Sequence, residues 1–172
     1  MNVASVAITA VVTLLAVMLG GWLTVWNQDR MWRREHARQW RDIRLSAYQD
    51  FLSAYRQYLA FVQDPNSKIT AVPHPRHPDE LMPFFDADGR SYREKLESAR
   101  MGVNLVSQEP ETRDAAFLLM QRVRAIAAAR ATKSPEEIVD DSFPNLFADH
   151  RAFISAARNE LGLPNMPARN IP

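Results

Sequence analysis

The pattern of apolar and polar positions changes three times along the chain. Residues 3–26 contain no charge and no proline, 24 positions in all. A helix crossing a bilayer needs roughly 20 such residues, so the stretch predicts a transmembrane anchor over residues 1–26. A secretory signal would show a basic start, a shorter apolar core and a small-residue cleavage site. Here nothing side-chain-charged precedes Asp29, and "MLGGWLTVW" does not fit such a site. A buried core helix would need protein on all its sides, more than the rest of so small a chain supplies.

The second pattern is basic. Arg30, Arg33, Arg34, Arg38, Arg41 and Arg44 follow the apolar stretch, against Asp29, Glu35 and Asp42, and no lysine or arginine precedes it. Positive charge marks the cytoplasmic flank of a membrane helix, which predicts an outside N-terminus and a cytoplasmic C-terminal part. Trp22 and Trp26 fall where an aromatic belt contacts the inner interface. Trp22, Trp26, Arg30, Trp32, Arg33, Arg34 and Arg38 form the candidate headgroup-contacting set. Each basic residue near an anionic surface contributes about 1 kcal/mol; the plain alternative is a cluster that only fixes topology. Thr9, Thr13, Ala16, Gly20 and Thr24 recur every three or four residues, a small-residue face of the kind that lets membrane helices pack closely and that also arises by chance.

The third pattern is a wide helical stripe. No proline occurs before Pro65, so the first helix is expected to run unbroken to about Val62. Trp40, Ile43, Ala47, Tyr48, Phe51, Leu52, Ala54, Tyr55, Tyr58, Leu59 and Val62 occupy more than half of its circumference, enough to pack against two neighbours. Five prolines between Pro65 and Pro83 predict an irregular loop over residues 64–86. Three further helices are expected. One buries Tyr92, Leu96, Ala99 and Val103. The next starts near Pro110 and buries Ala116, Leu119, Val123 and Ile126. The last begins at "SPEE", with Ser134 as N-cap, Pro135 at N1 and Glu137 completing a capping box. It buries Phe143, Leu146, Phe147, His150, Phe153, Ile154, Ala157 and Leu161, and Pro144 is expected to divide it. "ELGLP" supplies its stop, with Gly162 and Leu163 in a C-terminal cap.

Together these elements predict an all-α chain, an N-terminal transmembrane helix continuing into an antiparallel four-helix bundle. The expected parts are the anchor, a basic helical stalk over 27–41 (roughly 22 Å at helical rise), a cytoplasmic bundle over 42–163, and a tail over 164–172. Arg44 falls inside the apolar stripe, where an unpaired guanidinium costs several kcal/mol. The up-down order brings Asp114 and Glu160 to its level as candidate partners for a buried structural pair; the alternative is that Arg44 snorkels to water.

Composition narrows the chemistry. Net charge is +1, so nothing calls for a nucleic-acid partner. With no cysteine, disulfides and thiolate metal sites are excluded. "HPRHPDE" places His74, His77, Asp79 and Glu80 in the proline segment, where an exposed polar loop is a better reading than a metal site. "DADG" (Asp86, Asp88, Gly89) resembles the start of a calcium loop but lacks its later ligands; a turn and helix cap explains it. His150 has no E-x-x-H pair or nucleophile beside it and reads as a packed histidine. Phosphate loops, G-x-S-x-G and H-E-x-x-H are missing from the sequence, so no enzyme, catalytic residue, metal or cofactor is expected.

At "QWRDIRLSAYQDFLSAYRQYL" and "FISAARNELGLP" the chain resembles a loose group of small actinobacterial single-pass membrane proteins with a cytoplasmic helical domain. They share a W-R-x-x-R-x-x-A-Y-x-x-F-L-like helix and an A-A-R-x-E-L-G-like last helix. The resemblance implies the helical fold and a bacterial inner-membrane setting, and brings no activity. The expected role is a non-catalytic accessory or adaptor of a membrane complex, with membrane lipids and an integral-membrane protein, or a second copy, as partners. The alternative is a self-associating membrane sensor that binds lipid or a small ligand in its bundle.

Overall fold

The computed structural model describes residues 3–79, 81–132 and 135–164; the side chains of residues 3–12, 15, 25, 27, 29, 30, 33, 34, 88 and 135–142 lie outside that description. Four helices and one hairpin follow in order: α1 (Val3–Gln63), β1 (Ile69–Pro73), β2 (Leu81–Phe85), α2 (Ala87–Val106), α3 (Pro110–Arg130) and α4 (Pro135–Glu160). The chain divides into two units, Met1–Asp42 and Ile43–Pro172.

In the first unit, every side chain described in residues 13–42 is exposed. Among them are Leu14, Met18, Trp22, Leu23, Trp26 and Trp32, each more than half exposed. Among the described residues no helix is long and apolar enough to cross a membrane. The side chains of residues 3–12, which make up the first part of the uncharged stretch, are outside the described set.

The second unit is mainly helical, but it is not a plain four-helix bundle. The segment expected to be irregular forms a two-stranded antiparallel sheet. Its register pairs Ile69 with Phe85, Ala71 with Pro83 and Pro73 with Leu81, alternating with Thr70–Phe84 and Val72–Met82. An antiparallel ladder takes its hydrogen bonds from alternate pairs. Both prolines fall in one set, which leaves Thr70–Phe84 and Val72–Met82 to carry the ladder. Proline is tolerated where its missing N–H would point away from the partner strand. Pro83 and Phe85 are buried while Phe84, on the opposite face, is exposed, so the hairpin covers the core with one face; Leu81 shares that face but is itself exposed.

The core is built on aromatic contacts. Phe51 of α1 meets Phe153 of α4 edge-on at 5.0 Å between centroids, and Tyr48 meets the same ring at 6.0 Å. Phe85 of the hairpin lies edge-on to Tyr58 at 5.5 Å, and Phe61 stacks on Tyr92 of α2 at 5.0 Å. Leu96, Val103, Leu119, Val123, Ile126 and Leu146 fill the space between, each almost fully buried; burying such side chains stabilises by about 1.5–3 kcal/mol each. Three positions expected on the inward stripe face water instead: Trp40, Ile43 and Phe147 are 43%, 47% and 56% exposed. Trp40 belongs to the first unit and Ile43 opens the second, and Phe147 sits one position round α4 from the buried Leu146.

Helix ends follow local chemistry. The Asp86 carboxylate caps α2 by accepting from the Gly89 N–H at 3.0 Å. A Cβ on Gly89 would lie 2.7 Å from Phe85 Cβ and 2.8 Å from Phe61 Cζ. "DADG" is therefore a cap plus a close approach of helix to hairpin. Pro110 opens α3 at its first turn, where its absent N–H costs nothing. α4 is one helix with Pro144 inside it, so the expected division at that proline is not found. Its stop is a Schellman motif: Leu163 N–H donates to Arg158 O at 2.8 Å and Gly162 N–H to Asn159 O at 3.0 Å, with Gly162 at φ 67°. Ser134 and Glu137, expected to cap the start of α4, lie outside the described residues and side chains respectively.

Candidate functional site

The two units carry different features. In the first, aromatic side chains are arranged in ladders. Trp22 and Trp26 stack at 6.0 Å with their planes 10° apart, as one helical turn dictates. Trp32 stacks on His36 at 5.1 Å, and Trp40 Nε1 donates to His36 Nε2 at 3.1 Å. Arg38 is exposed; the side chains of Arg30, Arg33 and Arg34 are outside the described set. Of the small-residue face, Thr13, Ala16, Gly20 and Thr24 are exposed and Thr9 lies outside the described side chains. Thr24 turns its hydroxyl back to Gly20 O at 2.8 Å. Nothing lies within 4 Å of where a Gly20 Cβ would be.

In the second unit a polar clasp joins all four helices around Glu160. This residue closes α4, where the helix dipole disfavours a carboxylate, and its side chain is only 3% exposed. Four groups compensate. Tyr48 Oη and Ser107 Oγ donate to Glu160 Oε2 at 2.7 and 2.8 Å, Gln108 N–H donates to Oε1 at 2.8 Å, and Arg44 Nε lies 3.6 Å from Oε1. Arg44 Nε also donates to Val106 O at 3.1 Å, and Arg113 Nη1 to Ser107 O at 3.1 Å. The turn between α2 and α3 is thereby held from α1, α3 and α4. Of the two carboxylates placed at Arg44's level by sequence, Glu160 makes the contact; Asp114 is exposed. Arg44 itself is 14% exposed.

The clasp shifts its own acid–base groups. Burial raises the Glu160 pKa, but donation from Tyr48, Gln108 and Ser107, with Thr112 close by, outweighs it, and the net shift is downward. The Thr112 hydroxyl is buried without a partner in hydrogen-bonding geometry. Burial, and then the Glu160 carboxylate it serves, push the Tyr48 phenol well above its ordinary range. The carboxylate is thus fixed as an anion and the phenol as a donor. Both carboxylate oxygens are engaged, so the arrangement ties α1, α4 and the turn between α2 and α3 together.

Other polar contacts are capping or surface devices. Arg130 donates to the Val62 carbonyl, to Ser67 Oγ at 2.5 Å and to Asp64 O at 2.5 Å, satisfying the end of α1. His150 stacks on Tyr55 at 5.6 Å; burial and then nearby Arg56 lower its pKa. His74 stacks on His77 at 5.4 Å in the hairpin connection. Among the described residues no three potential ligating side chains come together; Glu80 lies outside them. An open groove of about 720 Å³ runs between α1 and α2, lined by Ala47, Asp50 and Ala54 on one side and Ser91, Lys95 and Ser98 on the other.

Sequence reasoning did not single out His36, which bonds to one tryptophan and stacks on another; its i, i+4, i+8 spacing with Trp32 and Trp40 was the available signal. Tyr48 and Ser107 were likewise missed as partners of Glu160. Tyr48 was legible only as a core residue, and Ser107 reaches the carboxylate through a turn whose geometry no spacing encodes. No protein-family model, curated protein or solved structure matches the chain.

Proposed function

We propose that the protein is a single-pass inner-membrane accessory or adaptor subunit, non-catalytic, with its N-terminus outside and its helical unit in the cytoplasm. The observation that carries this reading is the uncharged stretch of residues 3–26, followed at once by arginines. In its described part Leu14, Val17, Met18, Leu19, Trp22, Leu23 and Trp26 are 55–69% exposed. An apolar surface of this extent is costly in water and favourable in lipid. The Trp22–Trp26 stack sits at the boundary between apolar and basic residues, where amphipathic rings prefer a headgroup layer. The second unit supports a holding role. Glu160, whose pKa is shifted downward, is spent on joining helices. The role is tested by reporter fusions at Pro172 and by mild-detergent purification. A cytoplasm-specific reporter should be active and an integral-membrane protein should co-purify. A reporter active only outside the cytoplasm would overturn the orientation.

A further inference from the structure

We draw no further inference here: the strongest candidate, the open groove between α1 and α2 walled by Ala47, Ala54, Ala99 and Gly102, carries charges of both signs at Asp50, Glu94 and Lys95, and nothing in the structure shows what covers it.

Discussion

Replacing Glu160 with alanine should cost far more stability than replacing Asp149, although Asp149 makes the shorter ion pair. Arg122 Nε lies 2.9 Å from Asp149 Oδ2, and Arg44 Nε lies 3.6 Å from Glu160 Oε1. Burial reverses that ranking. Arg122 is 41% exposed and Asp149 20%, and exposed pairs contribute about 0.2–1 kcal/mol. Loss of Glu160 leaves the buried Tyr48 hydroxyl without its acceptor, a cost of about 1–3 kcal/mol. It also leaves Arg44 with Val106 O alone. A fully buried charge stripped of its partner costs about 3–5 kcal/mol; with 14% exposure and one hydrogen bond kept, about 1–2 kcal/mol is reasonable. Ser107 Oγ retains Glu109 O at 3.1 Å, and Gln108, exposed, turns to water. The total is about 2–5 kcal/mol for Glu160→Ala against at most about 1 kcal/mol for Asp149→Ala. Denaturant unfolding of the full chain in mild detergent at pH 7, followed by circular dichroism, measures both. If the two variants lose the same stability, or Asp149→Ala loses more, the argument that burial outranks distance here is wrong.

Gly89→Ala should destabilise. Alanine gains about 1 kcal/mol of helix propensity, but the added carbon meets Phe85 Cβ, which moves only with the hairpin; overpacking of about 1–3 kcal/mol should prevail in the same unfolding assay. His150 is held neutral by burial and Arg56. Its folded pKa lies below the unfolded 6.5, so its contribution is present above that pH and is lost as pH falls through the lowered value. His150→Gln should flatten the wild-type decline of melting temperature below pH 6.5. Glu160, also shifted down, acts at lower pH: the gap between wild type and Glu160→Ala should narrow as pH falls through its depressed pKa.

Helix faces were legible because one residue in three or four reports the same environment: Leu96, Val103, Leu119, Val123 and Leu146 all lie where the 3.6-residue period puts them. The terminal cap at Gly162 was legible because only glycine takes positive φ without strain, and that constraint is local. The hairpin was not, because prolines were counted as breakers without regard to parity. Pro73 and Pro83 are harmless only in the register that places both on the same set of pairs, and register is a non-local property. Pro144 was misread for a similar reason: α4 continues through it. Glu160 was reachable as a partner of Arg44 from helix lengths alone, but the choice between it and Asp114 depended on which side of α3 faces α1. Trp40 and Ile43 were placed inward by extending a periodic stripe past the point where neighbours exist to cover it.

Alkaline carbonate extraction of cell membranes tests the proposed anchoring of residues 1–26. The full-length protein should stay in the pellet, and a chain lacking residues 1–26 should move to the supernatant while keeping its helical spectrum. Release of the full-length protein by carbonate would show that residues 1–26 do not anchor it.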